Sequence, residues 1–222
     1  MLCEINYSAL QDYIEDPTQT QLLFEIIKFS GKSSYSILVE TMVEPLQHNQ
    51  EVINLYQENY QLGNLNFNYL KSLPEDTLGY QYANFLVQNN LQPDYYPTIK
   101  KRNLLSYIKA LLWESHDIWH IVCGYGTSMT DEAALQAFLL AQIQSPLALV
   151  TLGTLLIHIA AKKPKEITKT MELVVFAYQQ GRLAKNLLSV NWHLFLTKSL
   201  DEVRQELNIH QIAAMKNAML IL

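Results

Sequence analysis

Charged residues are scarce in this chain of 222 residues, at 17%, while apolar residues make up 49%. Soluble domains usually carry about 25% charged residues, so we expect part of the surface to be apolar and to contact a partner, a lipid or a second copy. The net charge is -5 at pH 7. Because a nucleic-acid-binding protein needs a basic field, the lack of a basic excess argues against that class.

Cysteines and long apolar runs are also few. Cys3 and Cys123 are the only two cysteines, which gives no disulfide framework and indicates a reducing compartment. The longest apolar run, residues 147–161, has about 15 residues, fewer than the roughly 20 that a membrane-spanning helix needs. A buried core helix is the favoured interpretation of this run. The lysines that follow it offer the alternative of contact with anionic headgroups.

Glycine and proline number only seven each, and apolar residues recur mainly at helical spacing. No alternating strand pattern is found, so the sequence predicts an all-α fold, a single-domain multi-helix bundle over residues 1–222. The predicted helices cover residues 22–29, 34–45, 50–61, 80–89, 104–122, 147–161, 166–188 and 200–207. A further helix is predicted to begin near Ser128 or Thr130 and to end near residue 144, and the apolar tail from 210 to 222 is predicted to be helical as well. Residues 90–103 are predicted to form a loop.

Four potential metal ligands lie in one short window, namely His116, Asp117, His120 and Glu132. On one helix, the side chains of His116 and His120 stand about 40° apart, so both imidazoles can reach a single ion. Asp117 can add an oxygen or orient a histidine. Glycines interrupt the helix after residue 123, so Glu132 is expected to close the metal site from the first turn of the next helix.

The donor set of two nitrogens and two oxygens is best suited to Zn²⁺, with Fe²⁺, Mn²⁺ or Mg²⁺ as alternatives. Two histidines four residues apart are, by themselves, more often a solvated or hydrogen-bonded pair, so the prediction depends on the neighbouring carboxylates. The window differs from the zinc-protease signature H-E-x-x-H, because Asp117 stands where the general base would be. The difference disfavours a protease.

The same window matches the pattern H-D-x2-H-x11-E, and the chain resembles the ubiquinone (coenzyme Q) biosynthesis protein 4 family. Residues 73–79 resemble its L-P-x2-T-L-G segment, and residues 181–185 match its G-R-x-A-K segment. The resemblance extends over about residues 66–209 and leaves residues 1–60 and 210–222 uncovered.

This resemblance implies an α-helical, zinc-binding protein of quinone biosynthesis that binds a prenylated quinone precursor or polyprenyl lipid. It also implies peripheral association with a membrane surface and with other enzymes of the pathway. Two functions remain open: a C1 decarboxylase or hydroxylase of prenylated hydroxybenzoates, and a non-catalytic lipid-binding scaffold with a structural metal. A metal-dependent phosphohydrolase is a third alternative, suggested only by the adjacent His-Asp pair. We expect a bacterial, cytoplasmic member because no mitochondrial presequence is found, and the apolar excess predicts a homodimer.

An apolar cleft is expected to hold the polyprenyl tail, each buried methylene of which contributes about 0.8 kcal/mol. The metal would then fix the head group at one end. Arg182 and Lys185, taken to share one helix face, are candidates for binding an acidic head. Pairing with a carboxylate such as Glu172 or Asp201 is the alternative. Tyr125 is a candidate for a phenolic hydrogen bond to the head group.

Overall fold

The computed structural model describes residues 4–19, 22–28, 39–91 and 103–209, and in these ranges the regular structure is almost entirely helical. The all-α prediction is therefore confirmed. The helices are α1 (Tyr7–Glu15), α2 (Leu22–Ile26), α3 (Glu44–Gln47), α4 (Gln50–Gln57), α5 (Phe67–Ser72), α6 (Leu78–Gln88), α7 (Leu104–Cys123), α8 (Met129–Ile143), α9 (Pro146–Lys162), α10 (Ile167–Leu183) and α11 (Leu200–Glu206). A π-helical turn (Val39–Val43) precedes α3, and 3-10 turns occupy Pro164–Glu166, Leu187–Ser189 and Trp192–Leu194.

One short antiparallel strand pair accompanies the helices in the described ranges. Strand β1 (Glu4–Ile5) pairs with β2 (Ile27–Lys28), so that Glu4 faces Lys28 and Ile5 faces Ile27. With two residues in each strand, this pair leaves the fold class unchanged. It does show that the helix predicted over residues 22–29 ends early, at Ile26, where the chain enters β2.

Two compact units can be distinguished, and neither is continuous in the sequence. The first comprises Met1–Pro45 and Ser128–Arg182, and the second comprises Leu46–Thr127 and Leu183–Leu222. In the first unit, α1 packs against α2 and α9, and α8 packs against α9. Ala9, Tyr13 and Ile26 are buried together in one apolar cluster of this unit. The imidazole of His158 adds a polar contact, because its Nδ1 lies 2.6 Å from the carbonyl oxygen of Ile14.

Gly181 allows α10 to approach α8 closely. A Cβ atom at this position would lie 2.6 Å from the carbonyl oxygen of Phe138 and 2.9 Å from the Cβ of Ala141. The carboxamide of Gln142 donates to the carbonyl oxygen of Gly181 at 2.6 Å, which fixes the same approach.

We expect Gly181→Ala to lower the free energy of unfolding by about 1–3 kcal/mol, because the backbone of α8 cannot yield like a flexible side chain. Urea denaturation followed by circular dichroism would measure this loss. Gly153→Ala in α9 is the matched control, because no atom lies within 4 Å of the added methyl group, and alanine favours a helix by about 1 kcal/mol. Equal stability of the two variants would contradict the close approach.

In the second unit, α7 packs against α6, and α11 packs against both of them. Trp119 and Trp192 are among its largest fully buried side chains. The turn before α11 is tied to the start of α6, because Leu78 and Gly79 donate backbone hydrogen bonds to the carbonyl oxygens of Lys198 and Leu196. These contacts fix α11 beside the C-terminal half of the histidine-bearing helix.

Local capping explains the bounds of α7 and α8. Asn103 and Ser106 form a capping box at the start of α7, and Ser128 accepts from the backbone of Asp131 to cap α8. At the end of α7, Gly124 has φ +79°, a left-handed conformation that glycine adopts without steric cost. Of the two predicted caps for α8, Ser128 is the correct one, and the predicted helix over residues 104–122 is confirmed.

Several other predicted elements need correction. The helix predicted over 166–188 ends at Leu183, and two helices, α1 and α5, were not predicted at all. The helix predicted to stop near Pro45 ends slightly later, because α3 continues to Gln47. The predicted tail helix over 210–222, most of the loop over 90–103 and the start of the helix over 34–45 lie outside the described residues.

Helix length and hydropathy give little indication of a membrane span in the described part of the chain. None of its helices is, alone, both long enough and apolar enough to cross a bilayer. Pro146–Lys162 and Pro164–Leu183 pass the same test only when taken together, and they are bent by 120°.

Candidate metal centre

Two histidines of α7 stand side by side. The ring centroids of His116 and His120 are 4.8 Å apart, with an angle of 78° between the ring planes. His120 is buried, with 3% of its surface exposed, whereas His116 is half-buried. The predicted convergence of the two imidazoles on one face of a helix is therefore observed.

The ring of His120 is oriented by the turn that ends α7. Its Nδ1 lies 3.2 Å from the carbonyl oxygen of Tyr125. Because a carbonyl oxygen only accepts hydrogen bonds, this contact favours a proton on Nδ1, which is the tautomer whose Nε2 can bind a metal. The aromatic ring of Phe85 stacks on the other side, with 5.6 Å between centroids and 25° between planes. His120 thus has one defined tautomer and one defined orientation.

Asp117 is buried, with 7% of its surface exposed, and lies next to the neighbouring histidine. Its Oδ1 is 3.6 Å from His116 Nδ1. Of the two roles predicted for Asp117, orienting a histidine has this contact in its favour. A carboxylate beside one ring nitrogen raises the basicity of the imidazole and directs the other nitrogen toward an ion.

We expect Asp117→Asn to lower zinc affinity by about 10-fold, because outer partners of metal-bound histidines typically contribute 10- to 100-fold. Competition with a chromophoric chelator on the purified protein would measure the affinity. Asp201→Asn is the matched control, since the side chain of Asp201 is 82% exposed. If both variants bound zinc as wild type does, the orienting role of Asp117 would be wrong.

Glu132 lies in the first turn of α8 and is oriented by its own helix. Its backbone N–H donates to the carbonyl oxygen of the capping residue Ser128 at 2.8 Å. The carboxamide of Gln136, one turn later, donates to Glu132 Oε1 at 2.7 Å. Tyr13 is also near enough for Glu132 to affect it: burial raises the pKa of the Tyr13 phenol, and the negative charge of Glu132 raises it further.

His116, His120 and Glu132 form a group that could hold a metal ion, because one ligand atom from each lies within 4.8 Å of those from the other two. Two imidazole nitrogens and one carboxylate oxygen fit a divalent ion of the zinc type. Three of the four predicted ligands are in this group, and Asp117 is not part of it.

Cys123, the last residue of α7, is not suited to bind this ion. Its side chain is buried, with 1% exposed, and burial raises the pKa of the thiol. A thiol that resists deprotonation is a poor metal ligand.

The three residues predicted to bind the head group are in different situations. Arg182 is exposed in the last turn of α10, but α10 ends at Leu183, so Lys185 is not on this helix. The prediction that Arg182 and Lys185 share one helix face is therefore wrong. Tyr125 is 2% exposed and lies beside His120. Its backbone carbonyl makes the contact described above, and a role for its hydroxyl remains a prediction.

Sequence reasoning missed Gln136 and Arg204 as residues of this region. Gln136 follows Glu132 by four residues, and that spacing on a helix could have indicated the hydrogen bond. Phe85 and Arg204 are far from His120 in the sequence, and no local pattern connects them with it. Arg204 donates from Nε to the carbonyl oxygen of Val122 at 2.9 Å and from Nη2 to that of Ile121 at 3.0 Å.

Comparison with known proteins gives the family. The sequence profile described as "Coenzyme Q (ubiquinone) biosynthesis protein Coq4" matches residues 7–213. The chain belongs to the Coq4 family. This assignment confirms the resemblance noted in the sequence and extends it to residue 7, into the N-terminal 60 residues that had been left uncovered.

Relatives within the Coq4 family come from fungi and animals. The ubiquinone biosynthesis protein COQ4, mitochondrial, of Candida dubliniensis is 32% identical over 156 residues, covering 69% of this chain and 47% of the relative. The COQ4 homolog of Danio rerio is 28% identical over 173 residues, covering 75% of this chain and 63% of the relative. The chain thus spans about half the length of the Candida protein.

A solved structure has the same fold. The crystal structure of a candidate ubiquinone biosynthesis protein from Nostoc punctiforme matches with a TM-score of 0.77, at 24% sequence identity, and covers 94% of this chain and 100% of that one. At this identity the match supports the Coq4 fold alone.

Proposed function

We propose that this Coq4-family chain binds a divalent ion at His116, His120 and Glu132 and uses the site to act on the ring of a prenylated quinone precursor. The grouping of three ligand atoms within 4.8 Å is the observation that carries the proposal. Zn²⁺ is the preferred ion, because two imidazoles and a carboxylate are a common zinc set.

The number of ligands favours chemistry over a purely structural ion. Structural zinc sites are usually closed by four protein ligands, whereas catalytic sites keep three and leave a position open. Within the described part of the chain the group consists of three residues, while Asp117 faces His116. An open position is what a ring substrate would need in order to reach the ion.

The residues around the three ligands would act by holding them in place. The carbonyl of Tyr125 orients His120, and the carboxamide of Gln136 donates to Oε1 of Glu132. A bound divalent ion would supply Lewis acidity toward an oxygen of the substrate. Burial of His120 and Asp117 keeps the surroundings of the ligands partly dry, which strengthens such electrostatic interactions.

The proposed reaction is oxidative decarboxylation of a prenylated 4-hydroxybenzoate with dioxygen as the oxidant. The bond between ring carbon 1 and the carboxyl group breaks, and a bond between that carbon and oxygen forms. One hydroxybenzoic acid and one dioxygen give one 1,4-quinone, one carbon dioxide and one water, which balances atoms and electrons without another reductant. Zinc does not change its oxidation state, so dioxygen would have to react with the electron-rich ring itself.

Release of labelled carbon dioxide tests this proposal. Purified protein loaded with zinc would receive a short-chain 3-prenyl-4-hydroxybenzoate carrying ¹⁴C in the carboxyl group, under air and under argon. We expect release that depends on both enzyme and dioxygen, and a loss of at least about 100-fold in Glu132→Ala, a size typical of removing one group that stabilises developing charge.

The matched control is Glu172→Ala, which removes an exposed carboxylate of α10. It should turn over as wild type does. If wild-type protein released carbon dioxide no faster than Glu132→Ala, the catalytic proposal would be withdrawn. Parallel assays with Fe²⁺ and Mn²⁺ would identify the ion.

A non-catalytic lipid-binding scaffold is the second candidate, and the exposed surfaces of α9 and α10 favour it. Six large apolar side chains are about half exposed on α9 and α10: Leu149, Ile157, Ile167, Met171, Val175 and Tyr178. Four lysines near the junction of the two helices are exposed as well: Lys162, Lys163, Lys165 and Lys169. Apolar side chains beside basic ones suit peripheral binding to an anionic membrane surface. A second copy or another enzyme of the pathway is the alternative occupant of this surface.

Vesicle sedimentation distinguishes a membrane from a second copy as the occupant of this surface. We expect the protein to bind vesicles that contain phosphatidylglycerol, and the double variant Lys163→Glu/Lys165→Glu to bind them at least about 10-fold more weakly, because each basic residue near such a surface contributes about 1 kcal/mol. Vesicles of phosphatidylcholine alone are the control. If the protein were a dimer in solution and bound neither kind of vesicle, we would instead assign this surface to contact with a second copy.

A further inference from the structure

A small cavity opens beside His120 within the second unit, with a volume of about 240 Å³. Side chains from α6, the end of α7 and α11 line it, among them Gln81, Asn84, Phe85, His120 and Arg204. Pockets for drug-sized ligands have about 300–1,000 Å³. This cavity therefore suits a single substituted ring and has no room for a polyprenyl tail as well.

The lining of the cavity is positive and rich in amides. No Asp or Glu of the described residues lines it, and Arg204 is its one permanently charged side chain. Gln81, Asn84 and Gln88 follow one another at positions i, i+3 and i+7 of α6, so their carboxamides share one face of the helix. Such a lining is suited to a ligand that carries a negative charge and several oxygen atoms.

Arg204 is held in a fixed position without losing its capacity to bind an anion. Two of its five N–H groups donate to the carbonyl oxygens of Val122 and Ile121, which leaves three. Asp201 is its nearest acidic partner, at 3.9 Å from Nη1, but the side chain of Asp201 is 82% exposed and is a weak competitor. Burial lowers the pKa of the Arg204 guanidinium while Asp201 raises it.

A flat wall completes the site. The ring of Phe85 is stacked on His120, with only 25° between the planes, and both rings line the cavity. An aromatic ligand can pack against such a wall, while its substituents meet the carboxamides and the guanidinium.

We propose that this cavity receives the ring of an aromatic carboxylate and that Arg204 binds its carboxylate group. The inference rests on the proposed function, because it assigns the head group of the precursor to a particular part of the molecule. It replaces Arg182 and Lys185, the candidates from the sequence, with a residue of α11. The prenyl tail would leave the cavity through its open side.

A pair of probes without a tail tests the assignment: 4-hydroxybenzoate and its neutral methyl ester, titrated into the full-length protein as purified and followed by ligand-observed NMR. We expect wild type to prefer the carboxylate. Arg204→Gln should weaken carboxylate binding by about 10-fold or more, in keeping with hydrogen bonds to charged groups, and should change ester binding by less than about 2-fold. Because no turnover is measured, this experiment can succeed while the decarboxylase proposal fails, and the reverse.

Asn84→Asp is the second variant, in case Arg204→Gln does not fold. This substitution adds a negative charge to the cavity and leaves the contacts of Arg204 with α7 unchanged. It also retains the side-chain oxygen Oδ1, which accepts a hydrogen bond from Lys71 Nζ at 3.5 Å. We expect the same selective loss of carboxylate binding. Lys169→Gln, which removes an exposed positive charge from α10, should bind both probes as wild type does.

Three results would overturn the assignment. One is unchanged carboxylate binding in folded Arg204→Gln or, where that variant does not fold, in Asn84→Asp. Another is an equal loss of affinity for both probes in the folded variants, which would indicate a structural role for Arg204. The third is that Arg182→Gln loses the preference for the carboxylate over the ester while Arg204→Gln keeps it. That result would place the binding site of the head group on α10.

Discussion

His120→Ala is expected to lower zinc affinity by more than about 100-fold, because it removes a direct ligand, and even outer partners of such ligands contribute about 10- to 100-fold. The imidazole is buried and oriented by Tyr125, so the variant loses a ligand that is already held in place before an ion binds. Elemental analysis of the purified variant, followed by titration against a chelator of known affinity, would measure the loss.

His48→Ala is the matched control for that experiment. His48 is exposed, just after the end of α3, and its loss should leave the metal content at the wild-type level. Thermal melts add a second measurement, since zinc stabilises only a protein that binds it in the folded state. If His120→Ala retained the metal content of wild type and the same zinc-dependent rise in Tm, the proposed centre would be wrong.

The histidine-bearing helix was predictable because all of its signals are local. Apolar residues at helical spacing, Asn103 at the start and Gly124 at the end fix α7 from residue 104 to residue 123. The spacing of His116 and His120 then requires the two imidazoles to lie near each other. Ser128, with acidic residues in the first turn, defined α8 in the same way, and so the position of Glu132 on that helix was correct.

The errors occur where long-range contacts override local preference. Residues 22–29 have an apolar pattern typical of a helix, yet the chain leaves α2 at Ile26 because Ile27 and Lys28 pair with β1. The helix around residue 180 was drawn too long, because nothing between Leu183 and Leu188 breaks a helical pattern. After α10 the backbone N–H of Lys185 bonds instead to the carbonyl oxygen of Leu207. No periodicity argument includes such a partner.

The metal ligands could be found from the sequence, but the cavity beside them could not. His116, His120 and Glu132 lie within 17 residues of one another in the sequence, whereas Arg204 and Phe85 reach His120 only through the packing of α6, α7 and α11. Nothing in the sequence near Arg204 predicts that a positive charge on α11 will face the end of α7. Binding sites built from several helices are therefore the part of a helical protein that sequence reasoning recovers least.

Trp119→Ala is expected to lower the free energy of unfolding by about 3–5 kcal/mol, the usual cost of deleting a large core side chain. Trp119 is 2% exposed and directly precedes His120. The void left behind cannot fill without moving α7. The loss should therefore appear as a lower urea midpoint, with little change in the slope of the unfolding free energy against urea concentration. Trp113→Ala is the matched control, because Trp113 is only half-buried on the same helix and should cost less than half as much.

Zinc should recover part of the stability lost in Trp119→Ala. A ligand present at about 100 times its Kd adds about 2.7 kcal/mol to the folded state, provided that the histidines still converge. The double variant Trp119→Ala/His120→Ala should show no such gain, since the ion then has too few ligands. A zinc effect of equal size in the single and double variants would mean that the ion binds elsewhere, and the role of α7 as the metal-binding helix would be refuted.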